Sequence, residues 1–151
     1  MNNFKQYMKD NADIEEALAK LPKAVRKLVA GFHIKLEPGN TLHGDDGHVG
    51  VIMTHPKKQI KVAAPWNYGR AFALYHEVGH LVFAAHVKGT KWEEEWKSVC
   101  KKNPNRKKDE PDEENWCHSF SNHFIKHKVL THTHPAWEDY FNRFLKQFDD
   151  K

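Results

Sequence analysis

The sequence predicts an α+β domain: a small, partly antiparallel sheet packed on one helix, followed by a mostly helical C-terminal half. Alternating apolar stretches at 32–36, 49–53 and 59–64 predict the strands of the sheet. An apolar run around His76-Glu77-Val78-Gly79-His80 predicts the helix, at about residues 70–85. Beyond it, aromatic residues recur at helical spacing, which predicts the helical half.

Two short helices are predicted ahead of the sheet. The first occupies residues 13–20, with Asp13 as its N-cap. Pro22 interrupts it, because proline lacks a backbone N–H and does not fit inside a helix. A second helix follows at 23–30 and stops at Gly31.

Three more helices are predicted after the central one. They cover residues 90–99, about 111–126 and the stretch from Pro135 onward, and each carries an apolar stripe at helical spacing. The stripes consist of Trp92, Trp96 and Val99 in the first helix, Trp116, Phe120 and Phe124 in the second, and Trp137, Tyr140, Phe141, Phe144, Leu145 and Phe148 in the third. Core packing is the ordinary explanation of such stripes.

Length and composition favour a single domain, residues 1–151, in a reducing compartment. The chain has 39% hydrophobic residues, enough for a packed core. Its first residues lack the apolar region of a signal peptide, and no apolar run approaches the roughly 18 residues that a membrane helix needs. We therefore expect a cytoplasmic protein without a membrane partner. Cys100 and Cys117 are too few for a disulfide framework and are expected to be free thiols.

The net charge of +4 and the pI near 9.0 raise the question of nucleic-acid binding. Much of the excess positive charge lies in residues 101–108, and the acidic residues 109–114 follow at once. A solvated loop explains this pattern better than a phosphate-binding patch. Nucleic acid is therefore not the expected partner, although a nucleic-acid-associated protein that uses its basic loop stays open as an alternative.

The pentapeptide at 76–80 has the form H-E-x-x-H. Residues four apart share a helix face, so His76 and His80 can bind one Zn²⁺, and Glu77 lies beside them. A zinc ion lowers the pKa of its bound water from 15.7 to about 7, and Glu77 can take the proton from that water. With 12 histidines in 151 residues the motif arises by chance with odds of roughly 7%, so the motif alone is a hypothesis.

A catalytic zinc site needs a third protein ligand and an open position. His86 is one candidate, because its spacing from the pentapeptide matches the metzincin motif H-E-x-x-H-x-x-G-x-x-H. The glycine at which that helix breaks is Phe83 here. In an unbroken helix, six residues rotate about 240°, so His86 would point away from His80. A metzincin-like peptidase with His86 as third ligand stays open as an alternative.

The segment from Glu113 to Ser121 reads Glu-Glu-Asn-Trp-Cys-His-Ser-Phe-Ser. It resembles the third-ligand segment of gluzincin metallopeptidases, closest to the anthrax lethal factor-like (ATLF) family with its Pro-Pro endopeptidases, where the pattern is Pro-Glu-Glu-x-x-Ala-Glu-Ser-Phe-Ala. A looser resemblance is to the ImmA-type pattern E-x-x-A-N-x-F-A. The likeness covers about residues 70–148. It implies a zincin-like fold, with His76, His80 and Glu114 as the zinc ligands.

Two departures from the family pattern affect the expected chemistry. His118 stands where the family has an acidic residue beside the ligands, so it would orient its neighbours differently or could itself approach the metal. Lys107 stands where the family has the tyrosine that helps to stabilise the oxyanion. Tyr68, Tyr75 and His118 are the substitute candidates for that second role.

The resemblance implies an enzyme, a zinc-dependent metalloendopeptidase that hydrolyses peptide bonds of a protein substrate with a metal-activated water. Zincins hold the substrate extended along a sheet edge, and Val49, Gly50 and Val51 form the candidate edge because the strand at 59–64 should lie further inside. Glycine within a strand often marks close approach of another backbone. A catalytically silent zincin fold that binds a partner is the other alternative.

Overall fold

Helices form most of the described part of the chain. The computed structural model describes residues 14–37, 51–54, 59–63, 69–102, 109–125 and 133–149. Its elements are α1 (14–19), α2 (Lys23–Ala30), β1 (His33–Glu37), β2 (Val51–Thr54), β3 (Gln59–Ala63), α3 (Gly69–Val82), a π-helical turn (Phe83–Val87), α4 (Lys91–Cys100), α5 (Asp112–Phe124) and α6 (Pro135–Lys146).

The predicted α+β class is wrong for the part of the chain whose side chains the structure describes. That part is 77% helical and contains no strand, so it is all-α rather than a helix packed on a partly antiparallel sheet. The reason is the origin of the core, since the buried apolar side chains described here come from the helices and the turns between them. The alternating stretches form only short strands, described by their backbone, and none of the described buried side chains belongs to them.

Three short strands are described by their backbone alone. They lie in the order β1-β3-β2, with β1 parallel and β2 antiparallel to β3. Within these described strands β3 is therefore central and β2 is at an edge. The pairing of β2 begins at Val51, opposite Val62. Val49 and Gly50, which the sequence proposed for a substrate edge, lie outside the described residues.

Aromatic residues of α4, α5 and α6 form the C-terminal part of the core. Trp96, Trp116, Trp137 and Tyr140 are almost completely buried. Three of their polar atoms have partners: the Trp116 indole N–H donates to the Tyr140 hydroxyl (3.1 Å), that hydroxyl donates to the Trp92 carbonyl (2.9 Å), and the Trp137 indole N–H donates to the Val99 carbonyl (2.9 Å). Burial therefore stabilises these helices without leaving those groups unpaired.

The helix that carries the H-E-x-x-H motif ends earlier than predicted. It gives way after Val82 to a π-helical turn, in which the Lys88 N–H donates to the Phe83 carbonyl at 2.8 Å. Gly89 adopts a left-handed φ of 77°, and the Thr90 hydroxyl then accepts from the Trp92 N–H at 3.1 Å, capping α4. The wider turn changes the phase of the residues that follow Val82.

The N-terminal helix α1 packs behind α3. Ile14 and Ala17 belong to the buried core, and the Ala17 carbonyl accepts a hydrogen bond from the Tyr75 hydroxyl at 2.8 Å. This contact ties the chain's first described helix to the side of α3 away from the histidines. None of the helices in the described ranges combines the length and the apolar character needed to cross a membrane.

Candidate metal centre

One face of α3 presents both histidines of the motif. The imidazole rings of His76 and His80 lie 4.9 Å apart between centroids and nearly perpendicular to each other. His76 and Glu77 are each only 8% exposed, so this polar group lies at the edge of the core. Buried polar groups need partners, and the partners here come from α5.

Glu114, in the first turn of α5, lies between the two histidines. Its Oε2 is 3.1 Å from the His76 Nε2 and its Oε1 is 3.0 Å from the His80 Nε2. One carboxylate therefore contacts the Nε2 atoms of both rings, each through a different oxygen. The structure brings together the three residues that the sequence proposed as ligands.

The close approach of α5 depends on Gly79. A Cβ atom built on Gly79 would lie 3.2 Å from the Cα and 3.3 Å from the Sγ of Cys117. The helix crossing therefore has no room for a larger side chain at this point. Because Cys117 is one turn after Glu114, this contact also sets how far the carboxylate reaches. Neither Cys100 nor Cys117 forms a disulfide, as the sequence predicted, and both side chains are buried.

We expect Gly79→Ala to destabilise the protein and to weaken metal binding. Overpacking at a tight contact typically costs about 1–3 kcal/mol, whereas alanine regains up to about 1 kcal/mol of helix propensity. The measurement is chemical unfolding together with zinc titration. Gly31→Ala is the matched control, since nothing lies within 4 Å of its added Cβ. A Gly79→Ala protein as stable as the wild type would show that α5 is not held by this crossing.

Glu113 is a site residue that the sequence interpretation missed. Its Oε2 lies 2.7 Å from the His80 Nδ1, while the other ring nitrogen faces Glu114. A carboxylate on one nitrogen fixes the tautomer and directs the other nitrogen to the metal. The sequence did show a second acid next to Glu114. Only the orientation of α5 in the structure shows that Glu113 faces the Nδ1 of His80 and Glu114 its Nε2.

His118 lies next to His76, as expected for a residue beside the ligands. The two ring centroids are 4.3 Å apart, and the Phe72 ring is 5.7 Å away on α3. The His118 Nε2 is 3.3 Å from the Glu110 Oε1. Glu110 is a second residue that the sequence interpretation did not single out.

Two overlapping sets of side chains could hold a metal ion within the described residues. One contains His76, Glu77 and His80, and the other contains His76, Glu114 and His118. In each set the possible ligand atoms lie within 4.8 Å of one another. Imidazole and carboxylate ligands suit Zn²⁺. The buried Nδ1 of His76 has no hydrogen-bond partner among the described residues.

The acid and the two imidazoles perturb one another's protonation. Burial lowers the pKa of His76, and Glu114 only partly offsets that effect. Burial acts in the same direction on His80, but Glu114 and Glu113 outweigh it and raise the pKa of His80 to about 9. Hydrogen bonds with both histidines hold the pKa of Glu114 well below its usual range, against the effect of burial.

These shifts predict that the metal-free protein is most stable near pH 6.5. His80 has a raised pKa, so its contribution is complete below 6.5 and is lost as the pH rises through about 9. His76 has a lowered pKa, so the unfolded chain gains a proton first as the pH falls below 6.5, and stability is lost on that side. Glu114 adds to the acid-side loss below about 4.5, its ordinary pKa.

Thermal unfolding of chelator-treated protein across pH 4–10 measures this dependence. The His80→Gln variant is the control, and we expect it to lack most of the loss between pH 6.5 and 9. Stability that stays level over that interval in the wild type would contradict the assigned role of His80.

The sequence also proposed other residues as oxyanion donors or as the third metal ligand, and the structure describes two of them, Tyr75 and His86. The Tyr75 hydroxyl donates to the Ala17 carbonyl at 2.8 Å, and burial raises the pKa of Tyr75 to about 12, so neither observation favours it as an oxyanion donor. His86 is in neither of the two metal sets found among the described residues, and its ring centroid lies 5.0 Å from that of Phe148, so these contacts do not favour the metzincin-like alternative. Tyr68 and Lys107 lie outside the described residues, as does most of the basic run 101–108.

No family model, no curated protein and no solved structure matches this chain. The gluzincin resemblance therefore rests on the residues themselves.

Proposed function

We propose that the protein is a zinc-dependent metalloendopeptidase of the gluzincin type. The observation that carries the proposal is the convergence of the Nε2 atoms of His76 and His80 on the carboxylate of Glu114. Two imidazoles and one carboxylate are the ligand set of a catalytic zinc site with an open position. These three residues would hold the ion.

Glu77 is the proposed general base. It is 8% exposed, and its carboxylate lies within 4.8 Å of a ligand nitrogen of each histidine. When bound, the zinc ion would polarise the scissile carbonyl and acidify a water molecule. Glu77 would accept the proton of that water and deliver it to the leaving amine.

Glu113 and His118 would position the site. Glu113 fixes the orientation of His80 through its 2.7 Å contact, and orienting partners of this kind typically affect metal affinity by about 10- to 100-fold. His118 is the remaining described candidate for an oxyanion donor, because it lies beside His76 and is 28% exposed at its side chain. A protein or peptide substrate bound along β2 is part of the proposal.

Zinc analysis combined with a peptide-library cleavage assay tests the function. We expect about one zinc per chain, cleavage that stops on treatment with a chelator, and recovery when Zn²⁺ is restored. A chain that binds zinc but cleaves no member of the library would favour a silent zincin fold that binds a partner. A chain that binds no zinc would overturn the proposal.

A further inference from the structure

His118 has the surroundings of a metal ligand rather than those of a solvated histidine. It lies one turn after Glu114 on α5, and its ring contacts those of His76 and Phe72. Its Nε2 faces the Glu110 Oε1 at 3.3 Å. Metal-binding histidines almost always contact a carboxylate, carbonyl or water through the nitrogen that does not bind the metal. The pair of Glu113 and His80 has the same arrangement.

Hydrogen bonds hold the Glu110 carboxylate in the position where it contacts the Nε2 of His118. Its side chain is only 9% exposed, and its second oxygen accepts from the Asn115 Nδ2 at 3.0 Å. The Asn115 Oδ1 in turn accepts from the Cys100 thiol at 2.8 Å. This buried chain holds the Glu110 carboxylate in place, so it holds one side of the His118 ring as well. The Nδ1 of His118 is then the nitrogen that would face a metal ion.

The distances bring His118 close to the coordination sphere. One ligand atom each of His76, Glu114 and His118 lies within 4.8 Å of the others. Zinc–nitrogen bonds of 2.0–2.1 Å in a tetrahedron separate neighbouring ligand atoms by about 3.4 Å. The three atoms therefore need to approach one another by at most about 1.4 Å, which small side-chain rotations can supply.

We propose that His118 is a fourth protein ligand that closes the metal centre at rest. This inference rests on the proposed metal site of His76, His80 and Glu114. Four protein ligands are typical of closed structural zinc sites, whereas catalytic sites keep one position open. A catalytic site needs that position open, so water or substrate would have to displace His118 before hydrolysis. The centre is regulated by one of its own side chains.

X-ray absorption at the zinc edge tests the proposal on the zinc-loaded full chain, because it counts the imidazoles around the ion. We expect three imidazoles and one carboxylate in the wild type, and two imidazoles in His118→Phe. The phenyl ring keeps the stacking on Phe72 and His76 but has no nitrogen. Zinc affinity, measured by competition with a chelator, should fall by at least about 10-fold in His118→Phe.

The outcomes separate this inference from the proposed function. Zinc bound by two imidazoles in the wild type would overturn the role of His118 and leave the peptidase proposal standing. A wild-type chain without affinity for zinc would overturn both. If His118→Phe does not fold, the imidazole count of the wild type decides alone. The Glu110→Gln variant keeps His118 and should keep three imidazoles.

Discussion

The Glu77→Gln variant is expected to lose peptide hydrolysis by about 10²- to 10⁴-fold, the usual contribution of a general base. Glutamine has nearly the same shape as glutamate but does not accept a proton at neutral pH. Glu77 is buried beside the histidines and would act on the water rather than hold the ion. Zinc content and the unfolding midpoint should therefore stay close to those of the wild type. The measurements are zinc analysis, thermal unfolding and the rate of library cleavage.

Glu94→Gln provides the matched control for this experiment. It changes the same chemical group on the exposed surface of α4, where the side chain is 77% exposed. It should leave the rate unchanged. Loss of zinc in Glu77→Gln, or cleavage at the wild-type rate, would contradict the role of Glu77 as a base.

The second large effect is expected from Glu114→Ala. The variant loses the carboxylate that contacts the Nε2 atoms of both His76 and His80. Zinc affinity should fall by more than about 100-fold, above the range typical of orienting partners. Chelator competition on the purified variant measures this loss.

His86→Ala separates the two ligand hypotheses in the same assay. The His86 ring packs on Phe148 and not on the metal centre, so its removal should leave zinc affinity within about twofold of the wild type. Should zinc retention follow His86 and ignore Glu114, the gluzincin assignment would fall. Glu94→Ala is the control for removal of an exposed acid.

The helices were the predictable part of the fold. Turn-forming residues and apolar stripes placed α2, α4, α5 and α6 within a few residues of their observed positions, because each signal is local. Pro22 and Gly31 bound α2, and Pro135 begins α6. The end of α3 was not predictable in the same way. The helix gives way after Val82 to a π-helical turn, for which the local sequence carries no start or stop signal.

The fold class failed for a related reason. Alternation over five residues indicates a strand, but it does not say whether that strand supplies the core. Here the described core comes from helices and the turns between them, and large aromatic side chains make up much of it. The three alternating stretches therefore predicted strands, but not how much those strands contribute to the described core.

The candidate site was predictable where spacing decides the geometry. His76, Glu77 and His80 share one turn of α3, and the segment resemblance led to Glu114. The sequence did not show where the Tyr75 hydroxyl would lie. Tyr75 is next to His76 in the chain, but adjacent helix positions point about 100° apart, and its hydroxyl contacts Ala17 instead. Glu110 and Glu113 escaped notice because they sit in an acidic stretch of 109–114, where sequence alone does not tell a buried partner from a solvated charge.

Glu114 also has a consequence for how the protein acquires its metal. In the metal-free chain this carboxylate already holds both imidazoles in one arrangement. The cost of ordering the ligands is therefore met during folding, unlike in zinc fingers, which are unfolded until the ion arrives. The folded chain is preorganised, so loading and removal of the ion can proceed as a reversible exchange on an intact protein.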